Sequence, residues 1–380
     1  MIELFNMKKF LSLALIALLM FVSNMAAAQN LPAQLEAIRK KIDAGDMKTA
    51  RQDLNKFLAD NPRNKFAFNL RGEIRLKQED YYGAIGDFNF ALEIDSTFAE
   101  AYNLRGEAKL NLGDDFAAID DFDNAIRFKP KFADAYTNRG LAKYYIEDLQ
   151  GAFFDFSTAI DLGPPDADKY YNRGLVKSEL GEYLSAIDDF SKAITYDSND
   201  PNLYNFRGVA YYNLGDYDKA IKDYDRAIAL EPNDALIYEN RALAKSAKED
   251  YEGALKDFDK SIELDDEDPD TYNLRGVVKF NLDDHKAAIK DYDVAIEIDP
   301  FNPVYYDNRA LSKTALDDIE GAIEDYTRSI ELFPNDGETF FQRAMLKLRI
   351  GNKYDACNDL KTAQELGVAE ARAEIRKNCR

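Results

Sequence analysis

Apolar and polar positions alternate in two linked helical patterns along most of the chain. Between Ala101 and Leu112, the residues Tyr102, Gly106 and Lys109 fall at steps of four and three and share one helix face. Between Phe116 and Phe128, the residues Ala118, Phe122 and Ala125 or Ile126 form a stripe suited to burial. Asn111-Leu112-Gly113-Asp114 separates the two patterns. Gly113 can take the left-handed conformation that ends a helix, and Asp114 is placed to cap the helix that follows. Lys129-Pro130 ends the second helix, because proline cannot continue the hydrogen-bond ladder. The pattern predicts a helix-turn-helix in which small residues sit where the two helices approach and Phe or Tyr fills the space beside them.

The same unit returns every 34 residues. Arg71, Arg105, Arg139, Arg173, Arg207, Arg241, Arg275, Arg309 and Arg343 keep that spacing without a gap, and Asp87, Asp121, Asp155, Asp189, Asp223, Asp257, Asp291, Asp325 and Asp359 run in step. Gly or Ala follows each Arg, and a further Ala column runs from Ala84 to Ala356. Nine units therefore span 65–370. A degenerate unit at 29–64 keeps Gly45-Asp46, Ala50, Asp53 and Pro62 in phase but lacks the Arg, and residues 365–380 are expected to form a C-terminal capping helix.

A registered 34-residue helix-turn-helix of this kind resembles the tetratricopeptide repeat, whose pattern is Trp, Leu-Gly, Tyr, Ala, Phe and then Pro. In the unit 99–132 those places hold Tyr102, Arg105-Gly106, Lys109, Ala118, Phe122 and Pro130; the chain has no Trp. The resemblance implies an all-α fold, an α-solenoid built as a right-handed superhelix of such units, and a scaffold that binds protein or peptide rather than an enzyme. It also implies that first helices line a concave groove. One groove column then contains Asn69, Asn103, Thr137, Tyr171, Asn205, Glu239, Asn273, Asp307 and Phe341, where the amides of Asn69, Asn103, Asn205 and Asn273 suit the donors and acceptors of a peptide backbone. In a neighbouring column Asn172, Asn240 and Asn308 alternate with Phe206 and Leu274, and six residues on Ser178, Ser246 and Thr314 alternate with Tyr212 and Phe280. That two-repeat period predicts polar and apolar bands, with Tyr212 and Phe280 as anchors for an extended or helical segment.

The Arg column occupies a place where the family usually has Leu. A lone guanidinium between helices would be costly. Each Arg lies 16 residues before an Asp, which predicts internal ion pairs: Arg105 with Asp121, Arg139 with Asp155, Arg173 with Asp189, and Arg207 with Asp223. These pairs are read as structural rather than as a ladder for anionic ligands.

The charge balance narrows the partners. The net charge of -21 and pI of 4.6 argue against nucleic acid, which needs clustered Lys and Arg, and favour solubility and basic partners. Residues 1–28 read as a signal peptide: Lys8-Lys9, the apolar run Phe10–Val22, then Ala26 and Ala28 before the cleavage point. The run is too short for a comfortable membrane span, so an exported protein without stable membrane insertion is expected, periplasmic or secreted. Cys357 and Cys379 permit a disulfide that pins the cap. With one histidine, His285, read as a surface residue, no multi-His metal site or Ser-His-Asp set can be built, and no cofactor or metal is expected. The acidic stretch 265–270 reads as a solvated turn between repeats. Alternatives to a peptide-binding envelope scaffold are a structural spacer, a self-associating component and a binder of envelope glycans. The oligomeric state is left open.

Overall fold

The computed structural model describes residues 32–379, so the expected leader at 1–28 lies outside the described residues. The described residues divide into two compact units, one ending at Tyr196 and the other beginning at Asp197. The first contains α1 (Ala33–Asp43), α2 (Met47–Asp60), α3 (Lys65–Lys77), α4 (Tyr81–Ile94), α5 (Ala99–Asn111), α6 (Asp115–Phe128), α7 (Ala133–Tyr145), α8 (Leu149–Leu162), α9 (Ala167–Glu179) and α10 (Tyr183–Tyr196). The second contains α11 (Pro201–Asn213), α12 (Tyr217–Leu230), α13 (Ala235–Ala247), α14 (Tyr251–Leu264), α15 (Pro269–Asn281), α16 (His285–Ile298), α17 (Pro303–Ala315), α18 (Ile319–Leu332), α19 (Gly337–Arg349), α20 (Lys353–Glu365) and α21 (Ala371–Asn378). The described residues form helices and turns only, paired consecutively as helix-turn-helix units, which is the all-α helical-repeat class of the α-solenoids.

The local causes repeat with the sequence. Asp114 precedes α6, and its side chain accepts a hydrogen bond from the backbone N–H of Ala117; Asp80, Asp148, Asp216, Asp250, Asp284 and Asp318 do the same for their own second helices. The residue before each of these caps is left-handed. Gly113 has φ of 78°, while Glu147 holds the same place at φ 65° with a side chain that disfavours it. Within a pair the helices touch closely. A Cβ built at Gly106 would lie 2.7 Å from Phe122, so the ring fills the volume that a side chain would occupy. Phe156 and Phe190 in the first unit meet Gly140 and Gly174 in this way, as Tyr224 and Tyr292 meet Gly208 and Gly276 in the second, and the Ala of each second helix is fully enclosed.

The terminal helix is shorter than the expected 365–380. Leu366 and Gly367 close α20, with Gly367 left-handed at φ 99°, so the chain turns before α21 begins at Ala371. Ala371 is buried, and Val368 and Ile375 pack with it against Leu360 and Ala363 of α20. The cap therefore covers apolar surface that a further repeat would otherwise cover.

Replacing Glu147 with Gly removes the strained side chain and should stabilise the protein by roughly 0.5–1 kcal/mol, after the entropy that glycine adds to the unfolded chain. Thermal melts should show a higher midpoint for Glu147→Gly and a lower one for Gly113→Ala; equal midpoints would remove the strain argument.

Candidate functional site

The Arg and Asp columns meet within every complete repeat. Arg105 straddles Asp121 with two parallel bonds, Nε to Oδ2 at 2.9 Å and Nη2 to Oδ1 at 2.6 Å. Arg139 holds Asp155 at 2.6 Å, Arg173 holds Asp189 at 2.8 Å and Arg207 holds Asp223 at 2.7 Å. The remaining guanidinium nitrogen reaches back one repeat: Arg139 Nη1 donates to Asp123 at 2.5 Å and Arg241 Nη1 to Asp225 at 2.6 Å. A second cation, four residues after the Arg, completes most of these sites. Lys109 lies 2.7 Å from Asp121, Lys143 2.8 Å from Asp155 and Lys177 2.6 Å from Asp189. Burial works against the Asp189 carboxylate, yet Arg173 and Lys177 hold it below its ordinary pKa. In the repeat of Asp223 the Lys position is Tyr211, so that Asp meets its Arg without a following Lys.

The asparagine column needs a correction. Asn69, Asn103, Asn205 and Asn273 are only 7, 5, 4 and 8% exposed, so they do not offer open amides to a ligand backbone. Their partners lie in the next repeat. Asn138 Nδ2 donates to Asn103 Oδ1 at 3.1 Å, Asn240 to Asn205 at 3.0 Å and Asn308 to Asn273 at 2.7 Å. Each pair is 35 residues apart and bridges consecutive first helices. Asn69 is the exception: position 104 is Leu, which has no donor, and Asn69 Oδ1 is buried without a hydrogen-bond partner.

The expected aromatic anchors are part-buried rather than free. Tyr212 packs against Tyr217 with ring centroids 5.4 Å apart, and Phe280 against His285 at 4.9 Å. Tyr171 tilts onto Phe190 at 6.1 Å. His285 was expected at the surface, but its side chain is mostly covered because it starts α16 beneath Phe280. Cys357 and Cys379 form a disulfide, with Cα atoms 5.6 Å apart, that ties the end of α21 to α20.

Three carboxyls on first helices stand out: Glu239 and Asp307 lie in the expected groove column, and Glu107 was not singled out by the sequence reading. Burial, reinforced by Glu73 and Asp134 and opposed by Lys77, pushes Glu107 up to about 7. Burial raises Glu239 to about 7 despite the bond donated by Thr271 Oγ1 at 2.5 Å, with Asp268, Asp270 and Asp265 adding to the shift. Burial brings Asp307 to about 6, Ser329 and Thr339 working against the shift and Asp336 and Asp325 adding to it. Their signal in the sequence was an acid beside a neutral residue of the same column: Glu107 is followed by Leu141 one repeat on, and Glu239 stands between Asn205 and Asn273. Among the described residues no group of three or more His, Cys, Asp and Glu side chains is arranged to hold a metal ion. No helix there is long and apolar enough to cross a membrane.

Family models described as Tetratricopeptide repeat match residues 99–132, 201–234 and 240–303, and one described as TPR repeat matches 178–215. The chain carries tetratricopeptide repeats. Two of the matched segments, 99–132 and 201–234, start and stop on unit boundaries of the 34-residue register. The C-terminal part of a TPR repeat-containing protein from Cytophaga hutchinsonii is similar in fold, with TM-score 0.51 and 20% identity over 62% of this chain and 96% of that one. A tetratricopeptide repeat protein from Parabacteroides merdae gives TM-score 0.47 and 20% identity over 64% of this chain and 97% of that one. YrrB, described as a TPR protein with an unusual peptide-binding site, gives 0.43 and 24% over 47% of this chain and 92% of its own. No curated protein matches the sequence.

Removing a buried acid of the tetratricopeptide repeats leaves two cations facing each other. Asp155→Ala should cost about 3–5 kcal/mol, because Arg139 and Lys143 lose their shared partner. Asp223→Ala, with Tyr211 at the Lys position, should cost less. Urea denaturation of both variants checks the order; equal losses would show that the second cation is irrelevant.

The raised carboxyls set a pH dependence of the opposite sign to that of the ion pairs. In the folded state Glu107 and Glu239 hold their protons up to about 7, against 4.5 for the ordinary group. Their contribution to stability is present below 4.5 and is lost as pH rises through 7. The urea midpoint should fall across that window, and the fall should shrink in a Glu107→Gln, Glu239→Gln variant.

Proposed function

We propose that this protein is an exported scaffold of the cell envelope, periplasmic or secreted, that holds a basic peptide or protein segment on the first-helix faces of its tetratricopeptide repeats. Repeats of this type are scaffolds for protein–protein interaction and are generally not enzymes. The observation that carries the finer reading is where charge is left over. The acids of the second-helix Asp column are met inside the fold by Arg and, in most repeats, by Lys. Glu107, Glu239 and Asp307 on first helices have no ion-pair partner among the described residues, and burial raises each of them. A cationic partner would relieve that cost, and the net charge of -21 would speed its approach.

Export is supported by two features. Lys8-Lys9, the apolar run Phe10–Val22 and the small residues Ala26 and Ala28 have the order of a signal peptide. The Cys357–Cys379 disulfide suits an oxidising compartment.

The test is a pull-down from envelope extract with residues 29–380, beside a Tyr212→Ala, Phe280→Ala variant shown to be folded by its melting curve. The expected result is a partner retained by the wild type, weakened by the variant and released by salt, which screens exposed charges. If nothing is retained and light scattering shows assembly of the chain with itself, the protein is a spacer or self-associating component instead.

A further inference from the structure

A repeat protein supplies its own comparison, because one column shows the same position in different chemical company. Arg39, Glu73, Glu107 and Leu141 occupy one column, 34 residues apart, on α1, α3, α5 and α7. At the first step the column is closed: Arg39 Nη1 meets both oxygens of Glu73, at 2.8 and 2.6 Å, and Lys77 adds a contact at 3.2 Å. At the next step there is no such partner. Glu107 has Glu73 on one side and Leu141 on the other, and among the described residues its carboxyl has neither an ion pair nor a side-chain hydrogen bond. The titratable groups around it are Glu73, Asp134, Lys77 and Tyr81, of which two are acids.

A second group is unfilled beside it. Asn69 is 7% exposed, yet its Oδ1 has no partner. Asn103, one repeat on, uses the same atom to accept from Asn138. The position that by that register would donate to Asn69 is Leu104, and Glu107 lies one helical turn beyond Leu104 on α5. Two acceptors, one amide oxygen and one carboxyl, therefore lie on the facing helices α3 and α5 without a hydrogen-bond partner among the described residues, and the cation that acts on Glu107, Lys77, is already engaged by Glu73 at 3.2 Å.

We propose that this interval, bordered by Asn69, Glu73, Leu104 and Glu107, is a subsite for the guanidinium group of an arginine side chain on the bound segment. The chemistry is the one that Arg39 already supplies to Glu73. A guanidinium is planar, offers several N–H donors and tolerates partial desolvation better than an ammonium. Two of its N–H groups would reach Glu107 and another Asn69 Oδ1, while Leu104 would pack against the alkyl stem. Binding would drive the proton of Glu107 into solvent, since the carboxylate then has a cation. The inference rests on the peptide-binding reading above and names one recognition element within it.

Calorimetric titration of residues 29–380 with acetyl-Ala-Arg-Ala-Arg-Ala-amide tests it, with the citrulline counterpart as the uncharged control. The wild type should bind the arginine peptide and not the citrulline one. Near pH 7 it should release a fraction of a proton, seen as heats that differ between buffers of different ionisation enthalpy. Glu107→Gln should weaken binding on the order of tenfold and abolish the release, as expected for one lost charged hydrogen-bond partner. This variant removes a part-buried acid without removing volume, so it should fold at least as well as the wild type. Asp188→Asn, an exposed acid on α10, should change neither quantity. Equal weakening by Asp188→Asn, binding unchanged in Glu107→Gln, or no binding of the arginine peptide overturns the subsite. A pull-down partner retained equally by Glu107→Gln would overturn the subsite and leave the scaffold reading standing, whereas the absence of any partner would remove the scaffold reading itself.

Discussion

The constraint on which each repeat depends is the aspartate held between two helices. A carboxylate as enclosed as Asp155 is affordable only beside cations that are themselves fixed. Arg139 and Lys143 come from one face of the partner helix, four residues apart, and close on it from two sides. This orients the pair of helices, and the Phe that presses against a glycine sets how near they come. The guanidinium then has one nitrogen to spare, which it donates to the second helix of the preceding repeat. A single side chain thus fixes both the packing within a repeat and the stacking between neighbours. Ion pairs of this kind add specificity more than net stability, because desolvation consumes much of the attraction.

With the second-helix acids matched internally, the surplus negative charge lies elsewhere. Much of it is solvated on exposed positions, where its effect is solubility and long-range attraction of cations. The rest sits part-buried on first helices, at Glu107, Glu239 and Asp307, which form no ion pair among the described residues. Carboxyls raised in this way cost stability at neutral pH when ionised. Retaining such groups on a face built from repeating units places chemistry where a ligand can respond to it.

The register, the helix pairs and the Arg–Asp contacts were legible because each rests on spacing within one repeat. The Lys that follows most of these Arg by four was equally visible, but its role emerges only when the distance to Asp121 or Asp189 is seen. The asparagines were misread for a related reason. A column viewed alone shows Asn103, Asn205 and Asn273 as a row of similar amides suited to a ligand. Their true partners are Asn138, Asn240 and Asn308, one column over and one repeat on, so the relevant spacing is 35 rather than 34. His285 was misplaced because position at a helix start suggests exposure, whereas the ring of Phe280 covers it. The end of α20 was missed by treating residues 365–380 as one helix although Gly367 interrupts it.

Repetition also separates what the fold requires from what it leaves open. A position that carries the same chemistry in nearly every unit is explained by packing alone: the Arg, the Asp, the enclosed Ala and the cap before each second helix. Positions whose chemistry changes from one unit to the next have no such explanation. Leu104 faces Asn69 where an amide would satisfy it, Tyr211 stands where a Lys would help to hold Asp223, and Glu107 takes a place that Leu141 fills one repeat later. Each break leaves a polar group with less than the architecture supplies elsewhere. Two of the three, Leu104 and Glu107, lie a single turn apart on α5. That coincidence is difficult to assign to packing, which would be better served by an Asn at 104 and a Leu at 107, and it makes this turn of α5 the place where the chain departs from its own scaffold.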